Sequence, residues 1–134
     1  MDLSIFLKEN KEKRENVFYP ACESFKDKEG NVINWEIKPM STIEEECLRE
    51  DSMNIVEGRG ILNINKYIGK LVAGSIVYPN LYDAKLQDSY GVNTPEELLK
   101  EIVDKPAEYS KLARFVQELN GYKGVNKDIE KAKN

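Results

Sequence analysis

Residues Ile64 to Val77 form the most apolar stretch of the chain, and Pro79 stands just beyond it. Ile64, Ile68, Leu71, Val72, Ser75 and Ile76 recur at three- and four-residue spacing, which places them on one face of a helix begun by Asn63 or Asn65. Pro79 forbids its continuation. Gly69, Ala73 and Gly74 are small enough to let a second helix come close. A helix of this kind must be covered, so the rest of the chain has to supply its neighbours.

Downstream the neighbours read as helices. Asp83 can cap a short helix through Tyr90, with Gly91 as a left-handed terminator. Thr94-Pro95-Glu96-Glu97 is a helix start with a cap, a proline at the first helical position and a capping-box acid, and Leu98, Leu99, Ile102 and Val103 form its apolar stripe. A further helix begins near Pro106, carries Tyr109, Leu112, Ala113, Val116 and Leu119, and stops at Asn120-Gly121. Lys123 to Asn134 sets four lysines and two acids against only Val125, Ile129 and Ala132, a composition too polar for a core and expected to form a flexible, Lys-rich tail.

Upstream the period changes. Asp2 or Ser4 can cap a short helix holding Leu3, Phe6 and Leu7, and Lys8 to Glu15 is a mixed-charge run that reads as a solvated turn or linker. Val17, Tyr19, Ala21 and Phe25 share one parity, and Ile33, Trp35 and Ile37 alternate with Asn34, Glu36 and Lys38. That is the period of half-buried strands, and Lys26 to Asn31 supplies a turn around Gly30, so this segment predicts a β-hairpin with a longer loop. Pro20 limits the first strand to an edge or interrupts it. An isolated hairpin is barely stable in water, so Ile33, Trp35 and Ile37 are expected to pack on the helices. After Pro39, a capping box of Ser41 with Glu44, or of Thr42 with Glu45, opens another helix, and Gly58-Arg59-Gly60 reads as a loop. The expected architecture is mainly α with an N-terminal β-hairpin (α+β), a single compact domain of about five to six helices over residues 1–122, followed by the tail at 123–134.

Composition narrows the function. The chain of 134 residues has no histidine and only two cysteines, Cys22 and Cys47, which removes imidazole bases, Ser-His and Cys-His nucleophiles and a zinc knuckle. These thiols read as reduced and half-buried. The acids between Ser41 and Glu57 gather at a helix start, where the helix dipole stabilises negative charge without any catalytic role. A net charge of −4 gives no general attraction to nucleic acid or an anionic membrane surface. No apolar run approaches the ~20 residues of a membrane span, and no secretory signal is visible, so the chain reads as intracellular and non-enzymatic, without catalytic, cofactor-binding or metal-binding residues. Tyr78, Tyr82 and Tyr90 gather at the break after the apolar helix. Leu81, Tyr82, Leu86 and Tyr90 are the candidate partner-contact residues, since tyrosine offers large contact area and tolerates water. The alternative is that they fill the core between two helices.

The chain resembles the XkdN-like tail assembly chaperones of phages and prophages over nearly its whole length. The resemblance rests on Leu3, Phe6 and Leu7, on Phe25-Lys26-Asp27 with Gly30 and Val32, and on Trp35-Glu36-Ile37. It continues through Asn65-Lys66-Tyr67, Leu71-Val72-Ala73, Val77-Tyr78-Pro79-Asn80-Leu81, Asp83-Ala84 and Leu86 to Val92. Glu97-Leu98-Leu99 and Glu118-Leu119-Asn120-Gly121 follow in the same order. Membership implies a non-enzymatic role in the host cytoplasm: binding the tape measure protein and helping deliver the major tail tube protein, with absence from the finished virion. It also raises a frameshifted, longer form of the same chain as a partner. A structural tail or neck protein retained in the particle is the competing reading.

Overall fold

The computed structural model describes residues 1–122; the predicted tail at 123–134 lies outside the described residues. Ten elements follow one another: β1 (Val17–Tyr19), β2 (Trp35–Ile37), α1 (Thr42–Asp51), β3 (Met53–Val56), β4 (Arg59–Leu62), α2 (Ile64–Ser75), β5 (Ile76–Tyr78), α3 (Ala84–Tyr90), α4 (Pro95–Ile102) and α5 (Pro106–Leu119). The single α+β domain, with its N-terminal hairpin and five α-helices, is the expected class. At the start of the chain two 3-10 turns, Ser4–Phe6 and Lys8–Asn10, stand where a short helix was expected. Asp2 accepts bonds from the Ser4 backbone and hydroxyl, and this local bonding closes a turn without propagating a helix.

α2 occupies the centre, with α1, α4 and α5 against it. Asn63 caps it by accepting from the Lys66 N–H at 3.1 Å. Its buried residues are Gly69, Leu71, Val72, Ala73 and Ser75, a broader surface than one stripe, while Ile64 in the first turn points to solvent. The buried Ser75 hydroxyl donates to the Leu71 carbonyl at 2.8 Å, so it costs no unsatisfied donor. Gly74 marks the close approach: a Cβ there would sit 2.7 Å from the Met40 methyl.

The helix ends earlier than its apolar pattern. Ile76, read from the sequence as part of the helix face, instead opens β5 with Val77 and Tyr78, and this strand pairs antiparallel with β2, Ile37 with Ile76 and Glu36 with Tyr78, around a bulge. Two causes combine here: the residue before Pro79 is disfavoured in the α region, and β2 has an open side for a β-branched segment to fill. The sheet order is β1-β2-β5, with Val17 opposite Ile37 and Tyr19 opposite Trp35. β1 stops at Tyr19, immediately before Pro20, and is an edge as expected. Trp35 and Ile37 face the helices and are buried, and Tyr19 stacks on Phe115 of α5 with ring centroids 4.3 Å apart. Between β1 and β2 a bridge from Lys26 to Val32 closes a smaller turn at Gly30, whose φ is +85°.

Gly58-Arg59-Gly60 corrects the expected loop. It belongs to a second hairpin, β3–β4, whose two-residue turn places Glu57 at φ +51° and Gly58 at +76°. Positive φ at both positions is the turn geometry that matches strand twist. The cysteines also differ from two half-buried thiols: Cys22 is fully buried against the Ile102 carbonyl, and Cys47 is exposed.

Polar bonds lock the helices at their ends. Ser41 and Glu44 form the capping box of α1, and the Ser41 backbone N–H holds the Glu44 carboxyl below its ordinary range. Met40 is held on both sides, its N–H donating to Asn120 Oδ1 at 2.7 Å and its carbonyl accepting from Arg14 at 2.6 Å. Between α1 and α2, Glu45 accepts from Arg49 Nε at 3.0 Å and from the Tyr67 hydroxyl at 2.6 Å. Burial first, and the Glu45 hydrogen bond second, push the Tyr67 phenol up to about 12.

Two outcomes follow. Leu71→Ala should lower unfolding stability by about 3 kcal/mol, read in urea by the emission of Trp35, the single tryptophan of the chain. Because the Tyr67 pKa is raised on folding, its contribution is complete below pH 10, the ordinary phenol value, and is lost as pH rises toward about 12. Urea midpoints from pH 9 to 12 should therefore fall more steeply for wild type than for Tyr67→Phe; parallel curves would contradict the raised Tyr67 pKa.

Candidate functional site

β5, α3 and the β1–β2 connection meet without closing, and an apolar groove of about 190 Å³ remains between them. Its lining is Phe25, Ile33, Trp35, Tyr78, Pro79, Leu86, Tyr90 and Ile102, with no charged side chain among them. Trp35 and Ile102 are buried and form the floor. Phe25 and Tyr78 stand exposed at the rim, and Leu86 and Tyr90 are half-buried along the α3 wall.

Local chemistry sets the α3 wall. The Tyr78–Pro79 peptide bond is cis, after which Asn80 Oδ1 accepts from the Tyr82 N–H at 3.0 Å. Asp83 caps α3 through the Leu86 N–H at 2.8 Å, and Gly91 ends it at φ +68°. Gln87 reaches back from the helix to the Leu81 carbonyl at 2.9 Å, fixing the bend to α3. These bonds hold Leu86 and Tyr90, one helical turn apart, toward the same wall.

The four sequence candidates therefore divide. Leu86 and Tyr90 line the groove. Tyr82 is 68% exposed and outside the lining, and Leu81 is 1% exposed, a core side chain anchoring the segment from below. Phe25, Ile33, Trp35 and Ile102 joined the site only on folding. Tyr78 and Pro79 were signalled by the tyrosine-rich break, whereas nothing local connects Phe25 or Ile33 to α3.

A second cleft, between α2 and α4, has a different chemistry. Lys66, Lys70, Lys100 and Glu96 line it with Asn63, Asn65, Gly69 and Thr94, and Lys70 pairs with Glu96 at 3.7 Å. Its charged side chains, three lysines and one glutamate, are partly self-neutralised and distinguish it from the uncharged groove. Among the described residues no group of three or more His, Cys, Asp or Glu is placed to hold a metal ion, and no described helix is long and apolar enough to cross a membrane.

An open apolar groove in a small α+β domain is a concave surface suited to binding. The chain belongs to the phage XkdN-like tail assembly chaperone family, whose profile matches residues 3–133. It is similar to the phage-like element PBSX protein XkdN of Bacillus subtilis (strain 168), with 29% identity over 139 residues, covering 99% of this chain and 94% of that protein. It is equally similar to the uncharacterised protein YqbN of the same strain, at 29% over 136 residues, covering 98% and 91%. The crystal structure of YqbN superposes with a TM-score of 0.79 at 26% identity, covering 91% of this chain and 98% of that one.

Burial separates the candidates experimentally. Leu81→Ala should cost about 2–5 kcal/mol of stability, whereas Tyr82→Ala should stay within about 0.5 kcal/mol of wild type. Chemical denaturation of the two variants checks this; equal losses would mean that Tyr82 is packed rather than exposed.

Proposed function

We propose that this tail assembly chaperone binds the tape measure protein through the groove lined by Leu86 and Tyr90, and keeps that partner soluble until tube subunits enclose it. The observation that carries the reading is the groove: an uncharged concavity, open to solvent, in a protein of a family devoted to tail assembly. Its volume suits one or two large side chains, such as those projecting at three- or four-residue spacing from an amphipathic helix. Phe25 and Tyr78 at the rim supply contact area, and their position outside the core makes them removable without emptying it. Tyr82 extends the same surface along the α3 entry.

Charge around the groove supports a holding role. Lys85 and Asp88 are exposed on α3, so the helix presents apolar side chains to the groove and polar ones to water. Holding an aggregation-prone segment requires that balance, because a wider uncovered patch would drive aggregation of the chaperone itself. The proposed cycle has the protein acting in the host cytoplasm, passing its cargo to the major tail tube protein and leaving before the virion is complete. A frameshifted longer form of this chain would carry the additional contact to tube subunits.

Purified tape measure fragments titrated by calorimetry test the groove. Tyr78→Ala, Phe25→Ala and Tyr82→Ala should each weaken binding about tenfold, about 1.4 kcal/mol, at unchanged melting temperature. Full affinity in all three variants would remove the groove from the proposal. Recovery of the chain in stoichiometric amounts from purified particles by mass spectrometry would favour a retained tail or neck protein instead.

A further inference from the structure

Two apolar elements elsewhere in the described chain have nothing covering them. In the first, residues 1–10, Leu3, Ile5, Phe6 and Leu7 are all exposed, Phe6 at 81%, and neither 3-10 turn contains a buried residue. In the second, the β3–β4 hairpin, Met53, Ile55, Val56 and Ile61 are exposed, Ile55 at 83%, and Ile64 lies open at the adjoining start of α2. Among the described residues the two strands pair only with each other. A lone two-stranded hairpin is marginal in water, and its outer edges present unpaired amide and carbonyl groups ready to accept another strand.

Each element has what the other lacks. The arm has four large apolar side chains and no surface beneath them, while the hairpin is an apolar ribbon with open edges and no cover. Within one chain the arm does not lie along the hairpin. It curls on itself, with Asn10 donating to the Ser4 carbonyl at 2.7 Å, and is tied down further along where Arg14 meets Met40. We propose that the arm of one copy docks on the β3–β4 hairpin of a second copy, so that the protein self-associates by exchanging arms.

Charge favours that occupant. The segment that follows Leu7, residues 8–15, carries Lys8, Lys11, Lys13 and Arg14 against Glu9, Glu12 and Glu15, a net charge of +1, with Asp2 the one acid ahead of it. The hairpin springs from the end of α1 where Glu46, Glu50 and Asp51 are exposed. An arm laid on the ribbon brings its lysines toward those acids, which orients the contact and makes it salt-sensitive. Size also fits. Covering most of both sets removes roughly 800 Å² per arm, and reciprocal exchange between two copies roughly doubles it, to the scale of a standard stable interface. This contact is independent of what the groove binds, since no residue lining the groove belongs to the arm or the hairpin.

Sedimentation velocity on the full chain at about 100 μM, above the micromolar range of an interface this size, provides the test. Wild type should sediment as a dimer or larger, and its association should weaken with added salt. An arm variant, Phe6→Asp with Ile5→Asp, and a hairpin variant, Ile55→Asp, should each be monomeric, with the wild-type emission of Trp35 showing that both remain folded. Ile61→Thr, which keeps a β-branched side chain, replaces Ile55→Asp if that emission shifts. Mixing the two variants should restore a 1:1 heterodimer, because an intact arm then meets an intact hairpin. A monomeric wild type overturns the proposal. So does an arm variant that still dimerises, which would indicate pairing of hairpin with hairpin, or a mixture that stays monomeric.

Discussion

Leu71, Val72 and Ala73 are consecutive in α2 and all buried, and this one constraint organises the molecule. Successive helical residues point about 100° apart, so three in a row cannot be hidden by one neighbour. α1, α4 and α5 all pack against the helix, and at its carboxyl end the chain runs straight into β5, which pairs with β2. Gly74 permits the Met40 side chain to come in at that end, and the hydrogen bonds of Met40 to Arg14 and Asn120 tie together segments far apart in the chain. The loop before α1 is therefore held at the carboxyl end of α5, and the burial of α2 is sealed at the point where three parts of the chain converge.

The same arrangement produces the groove. β5 exists because β2 has an open side, and once Tyr78 is committed to that strand the chain must turn sharply through Pro79 and Asn80 before α3 begins. α3 is only seven residues long and packs against α4, so it cannot also cover Phe25 and Ile33 across the gap. An apolar surface is left open beside a helix whose other face is polar. The proposed binding surface is therefore the unfilled remainder of core packing, and it would inherit the rigidity of that core.

Much of the helical framework was legible because it is built from contacts a few residues apart. Ser41 with Glu44, Asp83 with Leu86 and Thr94 with Glu97 are bonded as their spacing indicated, and Gly91 adopts the left-handed conformation expected of it. The β1–β2 hairpin was equally readable, since alternation around Trp35 has only one buried parity. β5 and the β3–β4 hairpin were not. Ile76-Val77-Tyr78 suits the end of an apolar helix as well as a strand, and only the open side of β2 decides between them. Gly58 announced a turn, but Glu57 in the left-handed region had no signal in its own identity.

The candidate site divides along the same line. Tyr82, Leu86 and Tyr90 stood out in the sequence because a helix break with clustered tyrosines is a local feature, and the family signature runs through it. Their sorting into wall and exterior, the burial of Leu81 beneath them, and the arrival of Phe25, Ile33, Trp35 and Ile102 are tertiary facts. Caps, turns and periodic stripes depend on hydrogen bonds and side-chain directions within a turn or two of chain, so residue order determines them. A groove depends on which surfaces remain uncovered after every element has packed, and that is settled only when β2, β5 and α3 occupy their places around α2.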